Sequence, residues 1–206
     1  MLDTYAAEDG TPLLCHGVCG VPFGQRPLAD ALADLREFMD CHPTEVITLI
    51  LESHLPEAPT ARAFEEAGLL PYLHAQPPGA PWPTLRAMIE GGRRLVVFTE
   101  SADVTLPWHH HAYAYAWDND YAATDASDFD CAVNRGASAN ALFVLNHFLT
   151  APVAMRSLAA SVNFDPVLSA HVERCRTETG RRPNFVTVDF YDTSDLFSVV
   201  RRLNGL

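Results

Sequence analysis

EVITLILE, residues 45–52, is the stretch that decides the fold. It is an apolar, β-branched run of strand length without polar alternation, which predicts a strand buried on both faces, as in a parallel sheet. Before it, residues 27–40 (PLADALADLREFMD) place apolar side chains at helical spacing, and Pro43 ends that helix. After it, residues 94–99 (RLVVFT) predict a second buried strand. A helix and two buried strands therefore lie close together in this part of the chain.

The same alternation continues along the rest of the chain. Further strands are predicted at residues 1–5, 141–149 and 184–191, and further helices at 60–68, 84–91, 151–161, 165–178 and 194–204. Helices that alternate with buried strands are typical of an α/β fold with a parallel sheet. The Pro-rich residues 71–83 are interpreted as a loop rather than a linker, because the alternation continues across them. The sequence thus predicts a single domain over residues 1–206.

Length and charge limit the classes of partner. The chain has 206 residues, of which 48% are hydrophobic and 19% are charged, as expected for a protein that buries a core. Lys and Arg total 14 against 26 Asp and Glu, and the net charge is −12. This balance argues against a nucleic-acid backbone as the partner and against simple electrostatic docking on anionic lipid. No apolar stretch reaches the roughly 18–20 residues of a membrane span.

The N-terminus and the cysteines bear on processing and redox state. The chain opens on a predicted strand with no signal peptide before it, so we expect a further segment upstream of Met1. Five cysteines are an odd number and too few for a disulfide scaffold. The CxxxC of Cys15 and Cys19 lacks the second pair of ligands that a zinc site needs. Buried thiols are the simplest interpretation of these cysteines.

Polar residues occur at the predicted strand ends, where functional residues of parallel α/β folds collect. Asp3 lies in the first strand, Glu52 ends EVITLILE, and Asp189 lies in the strand at 184–191. His16 follows a short apolar run and precedes a glycine. Three of them have a structural alternative: His16 as a turn histidine, Glu52 in an ion pair with arginine, and Asp189 in an internal hydrogen bond. Several such residues at one end of a fold nevertheless predict a site.

Other motifs point elsewhere or are absent. Three consecutive histidines, His109–His111, look like a metal cluster, but adjacent residues of an extended chain point to opposite sides, so three in a row seldom bind one ion. The sequence contains no GxSxG, P-loop, GxGxxG or HExxH motif. Serine-hydrolase, NTPase, dinucleotide-cofactor and zincin functions therefore lose their main support.

Five segments, taken in order, resemble one known family. They are LDTYAAEDGTPLLCHG (2–17), HPTEVITLILESH (42–54), WPTLRAMIEGGRRLVVFTE (82–100), ALFVLNHFLTAPV (141–153) and RRPNFVTVDFYDTSDLFSVVRRLNG (181–205). Across essentially the whole chain, this ordered set resembles the phosphatidylinositol-specific phospholipase C X-domain-like proteins. These belong to the wider group of phospholipase-C-like phosphodiesterases. The secreted members of plants, fungi and bacteria look most similar.

The resemblance implies a distorted or incomplete TIM-type (β/α) barrel with its site at the carboxyl ends of the strands. His16 matches the histidine that acts as general acid on the leaving group. Asp189 matches the acid that orients the family's other histidine, the general base. Asp3 and Glu52 match calcium-ligand positions, so calcium is the implied cofactor. Arg135 is a further candidate for contacting phosphate, with a surface salt bridge as the alternative.

The implied function is general acid–base cleavage of a phosphoinositide or a related phosphodiester. The family's first strand and its base histidine have no counterpart in this sequence, so we expect them, with any signal peptide, upstream of Met1. Two other functions stay open: a catalytically inactive binding or vestigial domain, and a glycerophosphodiester phosphodiesterase-like hydrolase. The secreted relatives also imply secretion and a disulfide between Cys131 and Cys175, with two buried thiols as the alternative.

Overall fold

The computed structural model describes residues 1–21, 24–150 and 153–206. These residues form two compact units, Met1–Ala112 and Tyr113–Leu206. Each unit has its own sheet, helices and core, and the two are described separately below. The single domain over residues 1–206 stays a prediction.

The first unit is built on a six-stranded sheet. Its strands are β1 (Leu2–Ala6), β2 (Pro12–Leu14), β3 (Arg26–Pro27), β4 (Ile47–Ser53), β5 (Leu95–Thr99) and β6 (His109–His111). Its helices are α1 (Leu28–Cys41), α2 (Glu57–Glu66) and α3 (Leu85–Glu90), with a 3₁₀ turn at Leu70–Tyr72. The strand order is β3-β2-β1-β4-β5-β6. The pairs β1/β4, β4/β5 and β5/β6 are parallel, whereas β2 and β3 join as antiparallel hairpin limbs.

The core of the first unit lies between this sheet and its helices. β5 is buried along its whole length, and β4 is half-buried except for the fully buried Leu51. α1 contributes Leu28, Leu32 and Met39 to the same cluster. These residues recur at helical spacing, which explains why one face of α1 packs inward while the opposite face stays exposed.

The second unit is built on a four-stranded sheet. The single-turn helix α4 (Ala112–Tyr115) leads from the first unit into it. Its strands are β7 (Ala116–Asp118), β8 (Arg135–Gly136), β9 (Leu142–Asn146) and β10 (Phe185–Thr187), and its further helices are α5 (Arg156–Val162), α6 (Val167–Thr179) and α7 (Leu196–Leu203). The strand order is β10-β9-β7-β8, in which β7, β9 and β10 are parallel and β8 is antiparallel.

An aromatic stack and a disulfide stand at the core of the second unit. Trp117 and Phe143 stack with ring centroids 3.8 Å apart and planes 5° from parallel. Leu168 of α6 and Val199 of α7 belong to the same buried cluster, as does the disulfide-bonded Cys175. Burial of this set ties both helices to the sheet.

The disulfide predicted between Cys131 and Cys175 is confirmed, with Cα atoms 5.1 Å apart. The interpretation of the remaining cysteines as buried thiols is wrong. Cys15 and Cys19, both half-exposed, form a second disulfide, and Cys41 is an exposed free thiol. Because pairing depends on where β2 ends and how the chain turns after it, the CxxxC spacing alone did not reveal it.

The α/β class is confirmed, and most predicted elements lie where the sequence indicates them. Thr84 caps α3, since its Oγ1 accepts a hydrogen bond from the N–H of Ala87 at 3.2 Å. The strands predicted at 141–149 and 184–191 are shorter, as β9 and β10. The helix predicted at 151–161 begins at Arg156, and residues 151–152 lie outside the described residues.

Candidate active site

Two carboxylates meet at the carboxyl end of β4. β1 and β4 are parallel neighbours, and their register pairs Asp3 with Glu52, the penultimate residue of β4. Residues at matching positions of parallel strands project to the same face of a sheet. The sequence-predicted metal residues Asp3 and Glu52 are therefore neighbours on one face.

His16 reaches this pair from the adjacent hairpin limb. β2 runs antiparallel to β1 and ends at Leu14, and the chain then turns. Nδ1 of His16 lies 2.8 Å from Oδ2 of Asp3, a hydrogen bond in the tautomer that carries a proton on Nδ1. The side chain of His16 is 85% exposed, whereas that of Asp3 is only 17% exposed. A sheltered carboxylate thus orients an imidazole that faces solvent.

Tyr5 and His54 complete this face. They follow Asp3 and Glu52 by two residues, the spacing that keeps side chains on one side of a strand. The rings of Tyr5 and His54 stack at 4.2 Å with planes 15° apart, and Nε2 of His54 lies 3.1 Å from Oε1 of Glu52. Sequence reasoning missed both residues, although the two-residue spacing after each predicted acid was a signal that could have found them.

The two carboxylates also affect the tyrosine electrostatically. Burial raises the pKa of the Tyr5 hydroxyl, and the negative charges of Glu52 and Asp3 raise it further, against a smaller opposing effect of a hydrogen bond with the Gly17 backbone. The negative charges of the two carboxylates repel a third negative charge and attract a cation. The face is therefore acidic and suited to a hard cation.

Other candidate metal ligands in the described residues have different partners. Nδ1 of His109 contacts Glu57, whereas His110 and His111 contact the carbonyl oxygens of His74 and Ser101. The three histidine rings thus contact three different residues. In the second unit, ligand atoms of Cys131, His171 and Cys175 lie within 4.8 Å of one another, but the two sulfurs are joined in a disulfide and offer no thiolate.

The other two predicted site residues lie in the second unit. Asp189 is half-buried and stands two residues beyond the end of β10. Arg135 lies on β8, where its Nε donates to Oδ2 of the buried Asp118 at 3.0 Å. The guanidinium also lies over the rings of Tyr113 and Tyr121, at 4.6 and 4.5 Å from their centroids. Arg135 is thus held by an ion pair and two aromatic faces.

A polar network at the carboxyl ends of three parallel strands surrounds this ion pair. Asp118 ends β7, Asn146 ends β9 and Thr187 ends β10. Nδ2 of Asn146 donates to Asp118 at 3.2 Å, and the hydroxyl of Thr187 donates to Oδ1 of Asn146 at 2.9 Å. Sequence reasoning missed Asp118, whose partner Arg135 lies 17 residues further along the chain.

The structure thus places the predicted residues in two groups. Asp3, His16 and Glu52 come together in the first unit. Asp189 and Arg135 belong to the second unit. The predicted convergence of Asp189 with His16 on one end of a barrel stays a prediction. Among residues 1–21, 24–150 and 153–206, no helix has both the length and the apolar character to cross a bilayer.

Comparison with known proteins gives one family. The family model PI-PLC X 1 matches residues 2–204. "PI-PLC X domain-containing protein 1" of the fungus Arthroderma benhamiae is 27% identical over 226 residues, which cover 98% of this chain and 72% of the relative. A PI-PLC X domain-containing protein of Arabidopsis thaliana is 32% identical over 230 residues, covering 100% of this chain and 51% of the relative.

A further similar protein of Arthroderma benhamiae is named "Uncharacterized secreted protein"; it is 22% identical over 228 residues, covering 96% of this chain and 51% of that protein. The chain therefore spans about half the length of two of these three relatives. No solved structure matches the chain at comparable significance. Since the family model covers nearly every residue of the chain, this protein belongs to the PI-PLC X domain family.

Proposed function

We propose that this protein is a phosphoric diester hydrolase of the PI-PLC type, which cleaves a phosphoinositide or a related phospholipid. The observation that carries the proposal is the 2.8 Å contact between Nδ1 of His16 and Oδ2 of Asp3, at a strand position paired with Glu52. A solvent-facing imidazole oriented by a carboxylate, beside a second carboxylate, supports acid catalysis on a phosphate ester.

His16 is the proposed general acid. Asp3 accepts the proton on Nδ1, which fixes the ring and assigns the second proton of the imidazolium to Nε2. As the bond from phosphorus to the leaving oxygen breaks, the proton on Nε2 passes to that oxygen. An imidazole suits this step because it can both carry and release a proton near neutral pH.

Asp3 and Glu52 are the proposed ligands of a calcium ion. They fit calcium in chemistry and in placement, because both offer hard carboxylate oxygens from neighbouring strands at one register position. The histidine contacts use Oδ2 of Asp3 and Oε1 of Glu52, so each carboxylate has a second oxygen that can act as a calcium ligand. Calcium bound there would supply positive charge to stabilise the phosphoryl oxygens.

Residues of the second unit have supporting roles in this proposal. Asp189 is assigned the orientation of the base histidine, as in the family pattern. Arg135 is assigned a contact with phosphate, which its planar guanidinium can make through two nitrogens. The ion pair with Asp118 already offsets the charge of Arg135, so its contribution is smaller than that of a fully available guanidinium.

We also propose that the chain carries the distorted TIM-type barrel of its family and acts outside the reducing cytosol. The alternation of parallel strands with helices supports the barrel. Two disulfides support the location, because disulfides persist in oxidising compartments. The similar protein named as secreted supports it as well.

The proposed function is tested with the complete gene product and vesicles that contain phosphatidylinositol. Release of the water-soluble head-group phosphate is measured with calcium and with a chelator. We expect calcium-dependent turnover, and a loss of about 10²- to 10⁴-fold in His16→Ala. His42→Ala, which removes another exposed histidine, is the matched control and should keep the wild-type rate. A rate in His16→Ala close to that of the wild type would contradict the proposal. If the protein turns over no phosphodiester, an inactive domain is favoured.

A further inference from the structure

The loop that carries His16 has no buried side chain among residues 15–21. Cys15, Cys19 and Gly20 are half-buried, and the other side chains are exposed, Val18 and Val21 by 69% and 95%. Gly17, directly after His16, has φ +67°, a left-handed conformation that glycine adopts without strain. Packing against the core therefore does not fix the backbone that presents the histidine.

A covalent link fixes it instead. The disulfide between Cys15 and Cys19, whose Cα atoms are 5.1 Å apart, closes residues 15–19 into a covalent ring that includes His16. The N–H of Cys15 donates to the carbonyl oxygen of Asp3 at 3.3 Å, which anchors one side of the ring to β1. Within the ring, the N–H of Val18 donates to the carbonyl oxygen of His16 at 2.8 Å.

We propose that the Cys15–Cys19 disulfide positions His16 for catalysis, and that opening this disulfide lowers turnover. The inference rests on the proposed function and adds a means of regulating the same site. An 85% exposed imidazole gains little orientation from packing, and the contact with Asp3 and the backbone of the ring both contribute to its orientation. A general acid must lie within hydrogen-bond reach of the leaving oxygen, and small displacements are costly.

The disulfide opens by exchange with a dithiol. A thiolate of the dithiol attacks one sulfur of Cys15–Cys19, and its second thiol then closes the dithiol into its own disulfide. The two electrons pass to the protein, and two protons complete the thiols of Cys15 and Cys19. Exchange requires access to sulfur, and Cys15 and Cys19 are half-exposed whereas Cys131 and Cys175 are buried. Mild reduction should therefore open Cys15–Cys19 first.

The genetic test uses the double variant Cys15→Ser/Cys19→Ser in the complete gene product. We expect kcat on the natural lipid to fall about 10- to 100-fold with little change in KM, because the acid is misplaced while substrate contacts remain. Cys41→Ser, which removes the exposed free thiol, is the control and should leave kcat unchanged. In the His16→Ala background, opening the disulfide should cause no further loss. A similar further loss there would overturn the positioning role.

The redox test follows the two disulfides separately. The protein is titrated with a dithiol, the thiols are alkylated, and each cysteine is quantified by mass spectrometry alongside activity. We expect activity to fall with the alkylation of Cys15 and Cys19 while Cys131 and Cys175 stay paired, and to return on reoxidation. Full activity with Cys15–Cys19 open would refute the proposal.

A measurement without substrate separates the two proposals. The ¹⁵N signals of the His16 imidazole, assigned by their absence in His16→Ala, report the proton on Nδ1. The intact disulfide should give a ring protonated on Nδ1 and bonded to Asp3, and the double variant should give tautomers that interconvert. If the signals differ in this way but neither the intact protein nor the double variant turns over substrate, the proposed function is rejected and the positioning role is kept. Turnover with identical signals in both forms would keep the function and reject the positioning role.

Discussion

Asp3 and Glu52 are separated by 49 positions in sequence yet occupy matching positions on β1 and β4. Because both carboxylates are proposed ligands of one calcium ion, removing either of them should weaken the binding of that ion. We expect Asp3→Asn and Glu52→Gln each to raise the calcium concentration for half-maximal turnover by at least about 10-fold, since calcium affinity follows the charge of its ligands. A calcium titration of the initial rate measures this.

The control for this prediction is Asp30→Asn, an exposed acid in the first turn of α1. It removes the same charge from a different place and should leave the titration unchanged. Equal shifts in all three variants would mean that general electrostatics, and not a bound ion at Asp3 and Glu52, sets the calcium response.

At the residue scale, the sequence reveals candidate residues where the chemistry of a side chain conflicts with its surroundings. Asp3 and Glu52 could be selected as candidates because an acid is costly in an apolar strand unless it is paired or used. The spacing after each acid points to Tyr5 and His54, but the stacking of their rings could not be predicted, because it depends on the register between β1 and β4. A salt bridge of Arg135 was named as an alternative, but its partner Asp118 could not be identified, because the two residues become neighbours only when β7 and β8 pair.

At the scale of elements, one disulfide joins α6 to the segment that follows β7. Cys131 and Cys175 lie 44 residues apart in sequence, so the bridge removes a large loop-closure entropy from the unfolded chain. We expect Cys131→Ala/Cys175→Ala to lower the free energy of unfolding by roughly 3–4 kcal/mol. Denaturant unfolding under oxidising conditions measures this, with Cys41→Ser as the control. An unchanged midpoint would show that the bridge contributes no net stability.

The elements themselves could largely be predicted, for physical reasons that differ between them. The sequence of α1 predicts a helix because its apolar residues follow the helical repeat. The sequence of β4 predicts a strand because it consists mostly of β-branched and other apolar residues. β9 and β10 are shorter than their apolar runs, because a strand ends where its hydrogen-bonded neighbour ends and not where hydrophobic residues stop. The Cys15–Cys19 disulfide was missed because closing so short a ring requires a particular turn.

At the scale of the whole molecule, buried histidines link folding to pH. Nδ1 of His147 lies 2.9 Å from Nδ1 of His171, and Nε2 of His147 lies 3.0 Å from the carbonyl oxygen of Val162. Burial lowers the pKa of His147 from its ordinary 6.5 to about 4, and burial lowers the pKa of His171 as well. The folded chain therefore keeps these rings largely neutral at pH values where the unfolded chain protonates them.

This difference sets the sign of a pH effect on stability. Between pH 6.5 and about 4 the unfolded state binds more protons than the folded state at His147, so the free energy of unfolding falls as pH falls through that window. The contribution is fully present above pH 6.5 and amounts to at most about 3 kcal/mol. His147→Gln should reduce the slope of unfolding free energy against pH, and the exposed His42→Gln should not. An unaltered slope in His147→Gln would contradict the assignment.

Proton delivery from His16 to the leaving oxygen can be tested by changing the leaving group. His16→Ala and wild type are compared on a phosphoinositide, whose leaving alkoxide needs a proton, and on an analogue that releases a nitrophenolate, which does not. We predict a loss of about 10²- to 10⁴-fold on the natural substrate and a loss of less than about 10-fold on the analogue. Equal losses on both substrates would contradict it.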